Sequence, residues 1–247
     1  MGSKGNKRHQ KRIATPGFLQ IARKDHSKGK FFMKVRPGAH SKSHSLPLAH
    51  IIQDLLKLCD TLKETRYILR NNKVLVDGKV RHDPRMSVGV MDVIEIPELN
   101  KAYRILPSRK HGLVCSEISP ELAKFKLCRI ENITTIRGGI PQLNLHDGRN
   151  ILLTPADGKK YKTKGTLKLQ LPDQTILDYY PLEEGNQAII QLGKNIGVAG
   201  KITQLVKKFG VNASLAEIET NGGVISTSYD YIFPIGKESS AIDLPMD

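Results

Sequence analysis

Cysteine is scarce in this chain, and the few cysteines present are far apart. The 247 residues include three of them, Cys59, Cys115 and Cys128. None belongs to a CxxC pair, so the spacing indicates neither a zinc-ligand set nor a disulfide framework. We expect three reduced, packed thiols, and the sequence gives no sign of a cofactor.

Long apolar runs are also missing. No run approaches the roughly 20 residues that a membrane-spanning helix needs, and no hydrophobic segment comes after the charged start of the chain as it would in a signal peptide. Met1-Gly2 resembles the start of a myristoylation signal, but residue 6 is Asn where Ser or Thr is required. We therefore expect no membrane partner and a cytoplasmic location.

Acidic residues are too few to balance the basic ones. The chain has 39 Lys and Arg against 24 Asp and Glu, which gives a formal net charge of +15. By segment the net charge is +11 for residues 1–42, zero for 43–100, +9 for 101–172 and −5 for 173–247. A membrane surface would call for a basic amphipathic helix or a lipid anchor, and the sequence shows neither. Nucleic acid is therefore the favoured partner, bound mainly by the first 172 residues.

The first 44 residues form a basic arm with little apolar periodicity. By itself such a segment is expected to be largely disordered and to gain order when phosphates neutralise it. Its phenylalanines, Phe18, Phe31 and Phe32, are candidates to pack on bases or on the protein's own domains. The candidate RNA contacts in the arm are Lys4, Lys7, Arg8, Lys11 and Arg12.

Four histidines of the arm raise the possibility of a metal site. They are His9, His26, His40 and His44, and no cysteine lies among them. His40 and His44 precede the first predicted helix instead of sharing one helical face, which is not a typical ligand spacing. We expect no metal here.

Two helices are predicted within residues 45–100. The first should begin at the N-cap Ser45, with Pro47 in its first turn. Its apolar stripe consists of Leu48, Ile51, Ile52, Leu55 and Leu58.

The second helix should begin at Thr61, because Thr61 and Glu64 form the reciprocal capping pattern. It is expected to end at Asn71-Asn72, since Asn tolerates a left-handed cap. Its predicted buried residues are Leu62, Ile68 and Leu69.

Basic residues recur on the second helix at Lys63, Arg66 and Arg70, away from its apolar residues. An ordinary solvated helix face also has this composition, so the pattern alone does not decide between solvent and RNA. The next part of the chain favours RNA. Asp77-Gly78 predicts a type I′ hairpin turn between short strands, and residues 93–96 alternate as a half-buried strand before Pro97 ends it.

This order of helix, helix, hairpin and strand resembles the alpha-L RNA-binding motif of ribosomal proteins, pseudouridine synthases and some tRNA synthetases. The resemblance implies that the helix ridge and the hairpin grip structured RNA. Because both helices are capped and share an apolar face, residues 45–100 are expected to fold alone. The implied RNA contacts are Lys63, Arg66, Arg70, Lys73 and Arg81, and Lys79 in the hairpin is a further candidate RNA contact. The residues that match the motif are Leu69, Val74, Val76-Asp77-Gly78, Arg81, Val88-Gly89 and Asp92-Val93-Ile94.

Residues 101–172 show short strands at regular spacing, which predicts a small β-barrel. One short helix is expected after Ser119-Pro120. Arg137 and Arg149 each lie beside a glycine-containing turn, and both the phosphate-binding and the plain hairpin-turn interpretations stay open. A dense basic run surrounds Tyr161, and from it and the two turns we select Arg137, Arg149, Lys160 and Lys162 as candidate RNA contacts.

A glycine-spaced turn lies within residues 185–202. A P-loop would need Lys and Ser or Thr at the start of a helix, whereas residues 201–206 look extended. The stretch instead resembles the KOW motif of ribosomal and transcription-elongation proteins, with Gly193, Gly197 and Gly200 in the matching places. The net charge of −5 predicts weak RNA binding here, with Lys194 and Lys201 as the best remaining contacts.

With these parts in order, the whole chain resembles one family, small-subunit ribosomal protein four of the archaeal and eukaryotic type. The family's arm often has tryptophan, which this chain lacks, and Phe18 and Phe31 stand in its place. The segments that carry the resemblance are 11–16, 45–48, 76–81, 88–94, 142–150 and 229–236.

The resemblance implies an α+β, multidomain fold with a basic arm (1–44), an alpha-L module (45–100), a central small β-barrel (101–172) and an SH3-like KOW barrel with a tail (173–247). It implies a structural constituent of the small ribosomal subunit that acts in translation. The implied partners are small-subunit rRNA and neighbouring ribosomal proteins. No small-molecule substrate, cofactor or catalytic residue is implied.

Two other functions compete with this one. A pseudouridine synthase needs a catalytic Asp in a Gly-Arg-Leu-Asp context, which the sequence does not contain, and Asp147 beside Arg149 has the wrong order. The remaining alternative is a free RNA-binding translation or transcription factor that uses alpha-L and KOW modules on a transient complex.

Overall fold

The structure is a computed structural model that describes residues 8–17, 19–24, 29–155, 157–208, 210, 214–220 and 222–244. These residues form three five-stranded antiparallel sheets, two small two-stranded sheets and a few short helices. The predicted multidomain chain is thus mostly β. None of the helices in these ranges is long and apolar enough to cross a membrane.

The predicted first helix is shorter than expected and begins later. Ser45–Pro47 forms strand β3 and pairs with β6 (Ser87–Gly89), so Ser45 is not the N-cap. Pro47 has extended backbone angles and caps α1 (Leu48–His50), which continues as one π-helical turn over Ile51–Leu55. The predicted apolar stripe still points inward, because Leu48, Ile51 and Ile52 are fully buried.

The second helix, α2 (Leu62–Arg70), begins where the capping pattern predicted. The Glu64 amide donates to the Thr61 hydroxyl at 3.3 Å, and the Thr61 amide donates to the Glu64 carboxylate at 3.3 Å. The helix ends at Asn71, followed by Asn72 at a positive φ of 59°. Both predicted ends are therefore confirmed, and Leu69 is fully buried as expected.

The first large sheet begins with the predicted hairpin. Strands β4 (Leu75–Val76) and β5 (Lys79–Val80) flank Asp77 and Gly78, whose φ angles of 53° and 70° match a type I′ turn. The sheet order is β5-β4-β7-β8-β9, with β7 at Val93–Ile96, β8 at Lys101–Ser108 and β9 at Gly112–Ile118.

The second large sheet has the order β12-β11-β10-β13-β14. Helix α3 (Pro120–Ala123), with Pro120 as its first residue after Ser119, precedes it as predicted. The strands are β10 (Phe125–Thr135), β11 (Pro141–Leu145), β12 (Asn150–Leu152), β13 (Thr166–Gln170) and β14 (Ile176–Tyr180).

Sheet membership does not follow the boundaries expected from the sequence after residues 100 and 172. Strand β7 pairs with β8 across the first boundary, and β13 pairs with β14 across the second. Alternation of apolar and polar residues predicts that a strand exists, but it does not say with which neighbour that strand pairs. Residues 101–118 consequently extend the sheet of the helix-hairpin region instead of joining a separate central barrel.

The third large sheet has the order β18-β17-β16-β15-β19. Residues 201–206 lie in β16, so their predicted extended structure is confirmed. Gly197, at a φ of 84°, packs so closely on the first sheet that an added Cβ would lie 2.5 Å from the Arg109 backbone nitrogen. The strands are β15 (Gln187–Ile190), β16 (Ala199–Val206), β17 (Leu215–Thr220), β18 (Gly223–Ser228) and β19 (Ile232–Gly236).

The described part of the arm packs on the body of the protein in the full chain. Strand β1 (His9–Lys11) pairs with β2 (Phe31–Met33), and Phe32 is 5% exposed. Of the predicted phenylalanines, Phe32 therefore packs in the protein's own core, whereas Phe31 is 59% exposed. Phe18 lies outside the described residues.

One large apolar core joins distant parts of the chain. It includes Leu19 and Phe32 from the arm, Ile51 from the helical region, Phe125 from β10 and Phe233 from β19. The arm and the three large sheets are therefore packed around common apolar contacts.

Candidate nucleic-acid interface

The outward face of α2 presents the predicted cations to solvent. Lys63, Arg66 and Arg70 are all exposed, whereas Thr65 and Leu69 on the opposite face are buried. Within the described part of the chain, none of the three cations has a carboxylate partner. Such cations give up no protein ion pair when they bind a phosphate.

The hairpin lies beside the C-terminal end of this ridge. His82 Nδ1 lies 3.0 Å from the Leu69 carbonyl oxygen, which holds the return of the hairpin against the end of α2. Lys79 in β5 is exposed, and Arg81 is half-buried. Lys73 differs from these two because its Nζ lies 3.0 Å from the Glu98 carboxylate.

The arm cations fall into two groups. Arg8 and Lys11 are exposed, whereas Arg12 is only 8% exposed. The Arg12 guanidinium carbon lies 5.8 Å from the centre of the Phe32 ring, a cation–π contact inside the protein. The predicted contacts Lys4 and Lys7 lie outside the described residues.

Among the central loops, Arg137 is exposed beside Gly138 and Gly139, which have φ angles of 88° and 74°. Lys160 is exposed, with its Nζ 5.9 Å from the centre of the Tyr161 ring. Lys162 is exposed but ion-paired, with its Nζ 3.1 Å from the Glu183 carboxylate. These side chains are available for anions to different degrees.

A buried group of charges lies where β10, β11 and the Asp77-Gly78 turn meet. The Lys126 ammonium is 2.9 Å from Asp77, 2.5 Å from Asp92 and 2.9 Å from Asp147. All four side chains are at most 6% exposed. We call this group, together with Arg149 and His40, the ionic centre.

The Arg149 side chain belongs to the ionic centre and not to the surface. Its Nη2 lies 2.5 Å from Asp77 and its Nε lies 3.1 Å from Asp147, and the side chain is 19% exposed. Of the two interpretations of this turn left open by the sequence, contact with phosphate is therefore disfavoured. The guanidinium is already held by two carboxylates.

His40 connects the arm to the ionic centre. Its Nε2 lies 3.0 Å from the Asp92 carboxylate, and Gly89 leaves room for its ring. Burial alone would lower the pKa of His40, but the Asp92 carboxylate raises it above its ordinary value of 6.5. With His40 protonated, the three carboxylates face three cations.

Burial and the neighbouring charges also shift the pKa values of Asp147, Asp77 and the adjacent His146. Burial opposes the ionised form of Asp147, but Lys126 beside it lowers the pKa of Asp147 to about 2. Burial raises the pKa of Asp77, and the charges of Lys126 and Arg149 oppose that rise. His146, whose ring centre is 5.7 Å from that of His40, has its pKa lowered to about 4 by burial.

Three side chains at this centre have atoms spaced as metal ligands would be. Ligand atoms of Cys128, His146 and Asp147 lie within 4.8 Å of one another. However, the Lys126 ammonium lies 2.9 Å from Asp147, and burial raises the pKa of the Cys128 thiol well above its ordinary range. A dication would have to compete with a buried ammonium for the same carboxylate, so the group fits an ion-pair network better than a metal site.

Sequence reasoning missed the ionic centre. The sequence pattern marks Asp77 only as a turn residue, although its carboxylate also accepts the Val93 amide at 3.0 Å. The available signal was Lys126, a charged residue between the apolar Phe125 and Leu127-Cys128. A lysine buried among such residues needs a partner, because burying a lone ammonium is prohibitively unfavourable.

Curated relatives match this chain from end to end. The small ribosomal subunit protein eS4 of Desulfurococcus amylolyticus is 46% identical over 99% of this chain and 98% of its own length. The chain belongs to the S4e family of ribosomal proteins. Its eS4 relative from Methanocaldococcus jannaschii is 41% identical over 99% of this chain and all of its own length.

Further comparisons agree with membership of the S4e family. Residues 99–176 match the model described as ribosomal family S4e, and residues 4–43 match the RS4NT domain. The crystal structure of the 30S ribosomal protein S4e from Thermoplasma acidophilum has a TM-score of 0.68 and 34% identity, and the match covers 78% of this chain and 96% of that one. The family resemblance seen in the sequence is thereby confirmed.

S4e is a family of structural ribosomal proteins, so the prediction that this chain is not an enzyme is also confirmed. This removes the RNA-modifying enzyme as a rival function.

Proposed function

We propose that this S4e chain is a structural constituent of the small ribosomal subunit and that it binds small-subunit rRNA during translation. The observation that carries the proposal is the row of three exposed cations on α2, Lys63, Arg66 and Arg70, none of which has a carboxylate partner in the described residues. Neutralised phosphates release counterions, so such a row contributes directly to RNA affinity. Neighbouring ribosomal proteins are the second class of partner.

Five of the contacts predicted from the sequence outside α2 extend the proposed RNA surface. They share two properties, exposure to solvent and the absence of an ion-paired carboxylate among the residues that the structure describes. They are Arg8, Lys11, Lys79, Arg137 and Lys160.

The other predicted contacts take a lesser part in this proposal. Lys73 and Lys162 are paired with Glu98 and Glu183, and each must exchange that carboxylate for a phosphate. Arg12 and Arg149 are held inside the protein by Phe32 and by the ionic centre, so we leave both out of the surface.

We also propose that residues 45–100 act as the RNA-reading alpha-L unit and residues 173–247 as a KOW-type unit. The order of α1, α2 and the Asp77-Gly78 hairpin supports the first assignment, and the glycine turn between β15 and β16 supports the second. The net charge of −5 over residues 173–247 favours a solvent or protein neighbour for that unit.

The test compares two charge reversals of equal size. Replacing Arg66 and Arg70 by Glu changes the net charge by −4, and so does replacing the exposed Lys207 and Lys208 after β16. Filter binding to a small-subunit rRNA fragment should weaken strongly for the α2 variant and only slightly for the control. Equal losses would mean that total charge, and not the α2 surface, governs binding.

The alternative of a free factor predicts a different behaviour on ribosomes. A structural constituent should co-sediment stoichiometrically with small subunits through a sucrose gradient at high salt. A transient factor should instead stay at the top of the gradient.

A further inference from the structure

The outward face of α2 carries one aromatic side chain among its cations. Tyr67 is 67% exposed. It follows Lys63 by four residues and precedes Arg70 by three, so the three side chains are neighbours on the helix surface. The same face thus combines a flat ring with positive charge.

A single exposed tyrosine is ordinary on a protein surface and needs no explanation by itself. Tyr67 differs from an ordinary exposed tyrosine because cations surround it. Lys63, Arg66 and Arg70 beside it have no acidic partner in the described part of the chain. By contrast, Tyr161 and Tyr179 pack edge-to-face with their ring centres 5.2 Å apart. The ring of Tyr67 stands among charges that are suited to a phosphate backbone.

We propose that Tyr67 stacks on an unpaired nucleobase of rRNA while the adjacent cations hold the flanking phosphates. The inference rests on the proposed function and names the class of RNA that α2 takes, a loop, bulge or single-stranded segment. A continuous A-form duplex presents its phosphates but keeps its base faces stacked on one another, so it offers the ring no partner. Stacking is tolerant of sequence, because every base has an aromatic face.

The absence of tryptophan from the chain provides a direct probe. In the full-length Tyr67→Trp variant, the only tryptophan stands at the proposed contact. Its fluorescence should be quenched by an rRNA hairpin with an unpaired loop, and not by a fully paired RNA duplex of equal length. Quenching of equal size by both RNAs would overturn the proposal.

A matched control places the single tryptophan elsewhere. Val224 in β18 is 61% exposed and lies in the acidic last third of the chain. The full-length Val224→Trp variant should show no comparable quenching with the loop RNA. Similar quenching at both positions would show that the signal does not report stacking at α2, and the proposal would fall.

Affinity gives a second measurement. Loss of one base stack weakens binding by roughly tenfold or more, so Tyr67→Leu should lose about that factor on loop RNA and little on duplex RNA. Tyr67→Phe keeps the ring and should bind loop RNA like the unchanged chain. Unchanged binding of Tyr67→Leu would overturn the proposal.

The same titrations separate this inference from the proposed function. If the Arg66 and Arg70 reversal weakens binding but Tyr67→Leu does not, the α2 surface binds phosphates without stacking. If the reversal has no effect beyond that of the Lys207 and Lys208 control, the assignment of RNA binding to α2 is itself wrong.

Discussion

At the scale of single residues, Lys126 carries the most structural weight. Its ammonium is fully buried and neutralises parts of three carboxylates, Asp77, Asp92 and Asp147. Removing one partner of a buried ion group leaves an uncompensated buried charge, which strongly lowers the stability of the protein. The intact group, by comparison, adds little stability relative to an apolar core of the same volume. Lys126 is therefore essential to the folded protein, although the ionic centre as a whole is not a strong source of stability.

We predict that Lys126→Met lowers the free energy of unfolding by roughly 3–5 kcal/mol, because three carboxylates then share too few cations. Chemical denaturation measures the change. The exposed neighbour Lys124 supplies the control, and Lys124→Met should leave the midpoint almost unaltered. Equal effects of the two changes would contradict the structural role given to Lys126.

We also predict that stability falls as the pH rises above about 6.5. The folded-state pKa of His40 is raised, so the folded protein binds its proton more tightly than the unfolded chain. The contribution of the His40–Asp92 pair is complete below 6.5 and is lost as the pH passes the raised value. Denaturation between pH 5 and pH 9 should show this loss, and His40→Gln should remove that component of the pH profile.

His146 contributes with the opposite sign. Its folded-state pKa of about 4 lies below its ordinary value of 6.5, so the unfolded chain takes up the proton first as the pH falls. Stability from this group is therefore complete above 6.5 and is lost progressively toward pH 4. The His40→Gln variant should keep this acid-side loss, which distinguishes the two histidines in one experiment.

At the scale of elements, the sequence predicted the features that depend on neighbouring residues, but it did not predict which strands pair. The capping box at Thr61, the turn at Asp77-Gly78 and the strand over residues 93–96 depend on neighbouring residues only, and all three are confirmed. The start at Ser45 was wrong because its pairing with Gly89 is a contact between residues far apart in sequence. Tertiary pairing overrode a plausible local cap.

The candidate site also has features that neighbouring residues determine and features that depend on distant contacts. The exposure of Lys63, Arg66 and Arg70 followed from helical spacing, which one helix fixes by itself. The burial of Arg149 depends on Asp77, 72 residues earlier in the chain, and no spacing rule reveals that contact. Which side chains touch rRNA stays a prediction.

The structure revises the expectation that residues 45–100 fold alone. In that fragment β7 loses its partner β8, and Asp77 and Asp92 lose Lys126. We therefore predict poor amide dispersion in the NMR spectrum of the isolated fragment and good dispersion for the same residues in the full chain. A well-dispersed fragment spectrum would show that α1, α2 and the hairpin suffice for a stable unit.

At the scale of the whole molecule, charge is distributed unevenly. Residues 1–172 carry a net charge of +20 and the remaining residues −5. The third sheet nevertheless packs against the others, with the Arg129 guanidinium donating to the Asp230 and Ile232 carbonyl oxygens at 2.9 and 2.6 Å. The packed molecule thus holds a basic part and an acidic part together.

We predict a steep dependence of RNA affinity on salt. If the protein neutralises six or more phosphates, raising the salt concentration from about 50 to 200 mM should lower its RNA affinity by roughly a thousandfold. A titration on an rRNA fragment measures the slope, and the Arg66 and Arg70 reversal should make the slope shallower. A nearly flat titration of the unchanged chain would contradict a phosphate-dominated interface.

The shared apolar core bears on the order of events during synthesis of the chain. Leu19 and Phe32, made early, pack in one core with Phe233 and Ile235, made more than 200 residues after Leu19. The nascent N-terminal segment emerges with its excess of positive charge long before those partners exist. Completion of the core must therefore wait until almost the entire chain has left the exit tunnel, and until then the growing chain is a polycation whose apolar residues are still exposed.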